Sequence, residues 1–259
     1  MIEYINMEIL PVFLLVFIRV LAFFVTMPFF SYRTIPIPFK IGLSFFLALI
    51  MVYTVDTTIV TVDDMYFLLL IKEAIVGLLV GLVAYMIVSA VQVAGGFIDF
   101  QMGFAIANVI DPQTGAQSPM TGQFFYMIAL LFLLSVDGHH LIIDGIVNSY
   151  QFVALDVFIP FENRSIVDFV ILTFNHMFLI AFQMAIPIVG CLFLVDVALG
   201  MMARTVPQLN VFVVGLPLKI FVSFAAILVF LSLYVSLAKL LFSTMFEVMR
   251  GLMQLFGGV

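Results

Sequence analysis

The sequence has 259 residues, of which 65% are hydrophobic and only 9% are charged, and its formal net charge at pH 7 is −6. A typical soluble domain is about 45–50% apolar and about 25% charged, and a chain of this length could not bury so much apolar surface in one core. The composition therefore excludes a soluble globular protein, predicts that membrane lipid or apolar partner surface surrounds the chain, and gives no reason to expect a nucleic-acid partner.

Six apolar stretches are each long enough for a membrane helix, which needs about 20 apolar residues. Because lipid offers the backbone no hydrogen-bond partner, each stretch is expected to be helical. We predict an all-α membrane protein with about six long, kinked helices arranged as helical hairpins. The stretches are 9–30, 39–55, 65–98, 124–155, 166–195 and 211–246.

The last apolar stretch is too long for one straight crossing. Lys219 and Lys239 bracket 19 uncharged residues, which suffice for one membrane span. The preceding segment, 205–218, contains Pro207 and Pro217, which favour a bent or re-entrant approach to that span.

The three charged residues of the first and third apolar stretches need partners or water. Arg19 is near the middle of the first stretch, where an arginine costs at least about 2.5–3.5 kcal/mol. Lys72 and Glu73 are adjacent, and neighbours on a helix do not face each other. We expect Lys72 to extend towards the interface and Glu73 to pair with a cation, with Arg19 as the candidate. Alternatively, all three face partner subunits or a wet cavity.

Small residues line one face of the third stretch. Ala74, Gly77, Gly81 and Ala84 are spaced three, four and three residues apart. Gly77 and Gly81 form the Gly-x-x-x-Gly pattern that permits close helix contact in membranes. The pattern predicts that this face packs on another helix.

The fourth stretch is interrupted by Asp137, His139, His140 and Asp144, the one concentration of metal-ligand residue types in the sequence. Two histidines and two carboxylates can hold a transition metal. The same residues are also typical of a polar break between two apolar half-helices. We adopt the break and predict no resident metal or cofactor.

Residues 99–123 form a long polar interruption. Asp111 followed by Pro112 suits a helix start, and Gly103 allows the backbone before it to bend. A loop of this length in a compact protein is normally functional or disordered. The alternative is an ordinary solvent loop, but its apolar, glycine-punctuated flanks favour a segment held in a lumen.

The sequence contains no known catalytic signature: no His-Glu-x-x-His, no Gly-x-Ser-x-Gly and no nucleotide-binding loop. We predict that the protein is not an enzyme. The competing functions are a secondary transporter, with Arg19 and Glu73 at a small-solute site, and an intramembrane enzyme that uses the cluster from Asp137 to Asp144.

Several short motifs occur in order along almost the whole chain. They are FIR at 17–19 with Pro28, IPIPFK at 35–40, KE at 72–73 with Gly77 and Gly81, QMG at 101–103, DP at 111–112, DGH at 137–139, PQLN at 207–210 and GLPLK at 215–219. Taken together, these motifs resemble the FliR family of the flagellar type III secretion export gate.

The resemblance implies a structural subunit of the bacterial inner membrane, within the flagellar basal body. Members of this family assemble with FliP-like and FliQ-like subunits into a gate for unfolded exported proteins, and FlhB-like and FlhA-like proteins are further partners. Helices in such a gate are kinked and do not all cross the bilayer.

The resemblance also divides the single domain 1–259 into a FliP-like part, 1–165, and a FliQ-like hairpin and tail, 166–259. It implies a hairpin tip that includes Pro207, Asn210, Pro217 and Lys219. It further implies a loop that plugs the closed pore, within about 103–123, with the candidate residues Gly103, Phe104, Asp111, Pro112, Gly115 and Pro119.

Overall fold

A computed structural model describes residues 9–30, 35–55, 64–104, 119–156, 164–208 and 210–258. Across these ranges the chain forms seven α-helices and no strand, which confirms the all-α prediction. The helices are α1 (Ile9–Thr26), α2 (Ile37–Met51), α3 (Asp64–Met102), α4 (Met120–Ser135), α5 (Gly138–Phe152), α6 (Arg164–Thr205) and α7 (Val211–Gly257).

Four of these helices, α1, α3, α6 and α7, are long and apolar enough to cross a membrane. There are five candidate spans if α4 and α5 together form one broken span. The predicted count of six was approximate for two reasons. The stretch 39–55 forms only the 15-residue α2, and the stretch 124–155 is divided at Val136 and Asp137 into two short helices.

Three helices are longer than a single straight crossing requires. Helices α3, α6 and α7 have 39, 42 and 47 residues, so at about 1.5 Å per residue they extend about 58, 63 and 70 Å. The hydrocarbon layer of a bilayer is about 30 Å thick. Each of these helices therefore has turns outside that layer, or runs strongly tilted.

The bend predicted within 205–218 is confirmed around Pro207, between the end of α6 and the start of α7, but not at Pro217. The chain turns before Val211, and from there α7 continues through Pro217 and Lys219 to Gly257. Pro217 lies in the second turn of α7, where its missing N–H removes one backbone hydrogen bond. Helix α6 likewise continues through Pro187. A proline can be tolerated inside a long apolar helix because the turns on both sides keep their own bonds.

The described chain forms two compact units. The first comprises Met1–Ile87, Asp137–Phe174 and Ser243–Val259. Its core is mostly apolar and includes completely buried side chains from α1 and α5, such as Leu15, Phe23 and Ile146. Helices α1 and α2 are in contact, and the rings of Phe13 and Phe45 meet edge to face at 5.3 Å.

The second unit comprises Val88–Val136 and Asn175–Phe242. Tyr234 of α7 stacks on Phe125 of α4 at 4.4 Å between ring centroids, and its hydroxyl donates a 2.5 Å hydrogen bond to the Phe125 carbonyl. Much of the apolar surface of α6 and α7 remains uncovered, because large side chains such as Phe193, Phe221 and Leu228 are exposed. Apolar surface of this extent indicates contact with lipid or with another protein.

Candidate functional site

A buried ion cluster in the first unit joins α1 to α3. Arg19, Lys72 and Glu73 are 0%, 3% and 0% exposed. The Glu73 carboxylate accepts hydrogen bonds from Nε and Nη2 of Arg19, the latter at 2.9 Å, and its Oε1 lies 2.6 Å from Nζ of Lys72. The structure therefore contains the Arg19–Glu73 pair suggested by the sequence. The expectation that Lys72 extends towards the interface was wrong, because its flexible side chain folds back beside its neighbour.

The two cations of this cluster also donate hydrogen bonds to backbone carbonyls at and just beyond the end of α5. Nη2 of Arg19 donates to the Val153 carbonyl at 2.9 Å, and Nζ of Lys72 donates to the carbonyls of Ala154 and Leu155 at 2.8 and 3.0 Å. Val153 is the C-cap of α5, and Ala154 and Leu155 follow it outside the helix. The carbonyl oxygens of all three residues carry partial negative charge. They balance the second cation, which Glu73 alone cannot neutralise.

Two further contacts hold the guanidinium of Arg19. Its Nη1 donates to the Ser149 hydroxyl at 3.1 Å, and its central carbon lies 3.9 Å from the centroid of the Tyr150 ring. Because Arg19 and Glu73 are fully buried and bonded to protein groups, they offer no surface to a small solute. This geometry disfavours the transporter site that the sequence left open.

Gly77 and Gly81 bring α3 against α1, next to the ion cluster. A Cβ atom on Gly77 would overlap the Arg19 carbonyl and lie 2.9 Å from Cβ of Ala22. A Cβ atom on Gly81 would lie 2.9 Å from the Phe23 carbonyl oxygen. Glycine is therefore required at both positions for this approach, and the approach lets Glu73, one turn earlier, reach Arg19.

In the second unit, a buried carboxylate joins α3 to the start of α4. Asp99 is 4% exposed, and its oxygens accept hydrogen bonds from the Thr121 amide at 3.2 and 3.3 Å and from the Thr121 hydroxyl. Asp99 thus caps the amino end of α4, a favourable place for a negative charge. Sequence reasoning missed this contact because a cap from a distant helix leaves no local pattern.

The predicted plug residues lie at this junction or outside the described residues. Gly103 follows the last residue of α3 and has a φ of +89°, a left-handed conformation that favours glycine. Phe104 follows it, and Pro119 immediately precedes α4. Asp111, Pro112 and Gly115 fall within 105–118, outside the described residues, as does the helix start predicted there.

The predicted hairpin tip joins α6 to α7. Pro207 lies in the turn, and the side-chain oxygen of Asn210 accepts hydrogen bonds from the amides of Phe212 and Val213 at 3.1 and 3.4 Å. Asn210 is therefore the N-cap of α7. Pro217 and Lys219 lie beyond the turn, inside α7.

The tip is in contact with the end of α3. Nζ of Lys219 lies 2.5 Å from Oδ1 of Asp196 on α6, and Nε2 of Gln101 on α3 donates to the other oxygen of Asp196 at 2.8 Å. A cavity of about 350 Å³ beside this ion pair is lined by Met102, Gly103 and residues of the two tip helices. The structure thus brings two regions that the sequence singled out separately, the tip and the start of the predicted plug, to one place.

The break between α4 and α5 is also confirmed. Asp137 has a left-handed backbone with a φ of 55°, and α5 begins at the following residue, Gly138. Asp137, His139 and His140 lie together at this break, whereas Asp144 does not belong to the group. The predicted group of four candidate metal ligands is therefore reduced to three residues.

Comparison with known proteins gives one consistent result. The sequence-family model for bacterial export proteins, family 1, matches residues 10–245 of this chain. The flagellar biosynthetic protein FliR of Bacillus subtilis is 56% identical over 252 residues, which cover 96% of this chain and 97% of the relative. FliR of Escherichia coli is 28% identical, over 90% and 88% of the two chains.

A protein named for translocation is also similar. The Yop proteins translocation protein T of Yersinia pestis is 32% identical over 161 residues, which cover 62% of each chain. The family model and the Bacillus relative extend across both compact units and include the ion cluster, the α3–α4 junction and the hairpin tip. The chain therefore belongs to the bacterial export proteins, family 1, among the flagellar biosynthetic proteins of the FliR type.

Proposed function

We propose that this chain is a structural, non-catalytic subunit of the flagellar type III export apparatus. It helps to build and close the channel through which unfolded flagellar proteins leave the cell during flagellum assembly. The observation that carries this proposal is the 56% identity to the Bacillus subtilis FliR protein over nearly the whole of both chains. The similarity to a Yersinia protein named for translocation supports the same type of machinery.

The proposed setting is the inner membrane at the flagellar basal body, with FliP-like and FliQ-like subunits as direct partners and FlhB-like and FlhA-like proteins as further ones. The uncovered apolar faces of α6 and α7 support an assembly in which neighbouring subunits or lipid cover them. We assign 1–165 to the FliP-like part and 166–259 to the FliQ-like hairpin and tail.

The proposed mechanism is passive. Residues around Gly103, Phe104, Asp111, Pro112, Gly115 and Pro119 hold the pore shut until export begins. The packing of Gly103 beside the tip, where a Cβ atom on Gly103 would lie 3.5 Å from the Leu216 side chain, supports a closed state braced by the hairpin. The sequence has no nucleotide-binding loop, so the energy for transport comes from other components.

Co-purification tests the assembly. We expect the tagged chain, extracted from its host in mild detergent, to carry FliP-like and FliQ-like subunits in one complex of defined mass by native mass spectrometry. A stable, monodisperse particle without these subunits would contradict the proposal and favour a self-sufficient transporter.

A second experiment tests the plug. Replacing 106–118 with a glycine–serine segment of equal length should make the membrane permeable to small ions, measured as conductance of the purified complex in planar bilayers. The matched control is the same replacement of 57–62, another connecting segment of the chain. Unchanged conductance in a fully assembled complex would refute the plug while leaving the export assignment intact.

A further inference from the structure

Three side chains of metal-ligand type meet at the start of α5. One ligand atom from each of Asp137, His139 and His140 lies within 4.8 Å of the other two. The sequence placed Asp144 in the same set and favoured a simple helix break. The structure keeps the break but gives a smaller and tighter group of one carboxylate and two imidazoles.

The backbone at the break explains why these side chains converge. The left-handed conformation of Asp137 bends the backbone just before α5, and the amide of His140 donates to the Asp137 carbonyl at 3.0 Å. This turn leaves Nδ1 of His140 3.9 Å from the Asp137 carboxylate and the two imidazole centroids 4.1 Å apart. A left-handed residue other than glycine is uncommon and is often found at a functional site.

One nitrogen of the group lacks a partner. Nδ1 of His139 is buried and has no hydrogen bond to any described residue. Buried polar atoms are nearly always bonded to protein, to water or to an ion. This nitrogen belongs to a residue of the three-ligand group, so the His139 ring has binding capacity that no described protein group uses.

We propose that Asp137, His139 and His140 form a binding site for a divalent transition metal of the zinc type. Two imidazole nitrogens and one carboxylate oxygen suit zinc, cobalt or nickel, whereas magnesium and calcium prefer sites made only of oxygen ligands. Three protein ligands leave one tetrahedral position for water.

The required adjustment is small. Tetrahedral zinc with bonds of about 2.0–2.1 Å sets its ligand atoms about 3.3 Å apart. The side chains of Asp137 and His140 are 80% and 72% exposed, so both can rotate without disturbing the core. The bound metal would fix the left-handed turn and so the first turn of α5, independently of the export role.

The test uses the full-length chain with its co-purified partners, carrying a tag without histidines and stripped by a chelator. Titration with cobalt should give the visible absorption of a four-coordinate site with nitrogen and oxygen ligands, at one cobalt per chain, and zinc should displace it. Asp137→Asn, His139→Ala and His140→Ala should each weaken binding by at least about tenfold, since even outer-shell losses cost 10–100-fold.

His176→Ala and Asp144→Asn are the matched controls, because they remove a similar group outside the cluster and should leave binding unchanged. His140→Ala decides the outcome even if His139→Ala fails to fold, because the exposed His140 side chain contributes little to packing. Absence of a cobalt spectrum in the wild-type protein, or binding that survives His140→Ala, would overturn the site and assign the orphan nitrogen to water.

Discussion

Replacing Glu73 with glutamine tests the buried ion cluster, because within the described ranges Glu73 is the one buried carboxylate that is paired with Arg19 and Lys72. The change keeps the side-chain shape but leaves Arg19 and Lys72 to repel each other at 0% and 3% exposure. Removing one partner of a buried ion pair costs about 3–5 kcal/mol. We expect the lower end, about 3 kcal/mol, because the carbonyls of Val153, Ala154 and Leu155 still accept hydrogen bonds from the cations.

A free-energy change of this size corresponds to about a hundredfold in an equilibrium constant. Glu73→Gln should therefore lower both the thermal midpoint and the yield of the assembly when it is purified in mild detergent. The matched control is Glu247→Gln, which changes an exposed carboxylate in the same unit and should stay within about 0.5 kcal/mol of wild type.

A double-mutant cycle separates the ion pair from general damage. Arg19→Met combined with Glu73→Gln removes both members, so the double variant should be at least about 1 kcal/mol more stable than the sum of the single effects. The reasoning is refuted if Glu73→Gln behaves like Glu247→Gln, or if the single effects simply add.

Three further predictions concern local contacts. Gly77→Ala should reduce the yield of assembled complex because its methyl group would overlap α1. The control Gly190→Ala should not, because there is open space around Gly190. Equal yields of the two variants would contradict the close approach of α3 to α1. Asp99→Leu should raise hydrogen exchange at the first turn of α4 because it removes the cap on Thr121, and unchanged exchange would show that the cap is dispensable. Asn210→Ala should destabilise the hairpin by about 1 kcal/mol, measured as a lower thermal midpoint, and a midpoint equal to wild type would argue against capping.

The sequence was sufficient for the class of fold because length and apolarity alone decide which segments can cross a membrane. It also suggested the Arg19–Glu73 pair, since a charge in an apolar helix needs a counter-charge. The contact of Gly77 and Gly81 with another helix followed from their spacing.

Other long-range contacts were beyond sequence reasoning. The cap of Asp99 on Thr121 joins residues 22 positions apart across 105–118, and no local pattern marks it. The ion pair between Lys72 and Glu73 was missed because adjacent residues on a helix point in different directions. The long side chain of Lys72 nevertheless bends back to reach its neighbour. Pro217 was overweighted as a helix breaker, since the turns around it keep α7 continuous.

The ion cluster also constrains the order of events during synthesis. Arg19 emerges from the ribosome 54 residues before Glu73 and 134 residues before the Val153 carbonyl. At about 5–20 residues per second, it waits about 3–11 s for its counter-charge and about 7–27 s for the end of α5. During that interval α1 carries an unpaired arginine that lipid disfavours by at least about 2.5–3.5 kcal/mol. We therefore expect α1 to stay beside the insertion machinery and to enter the bilayer together with α3, so that the nascent protein integrates as a pair of helices.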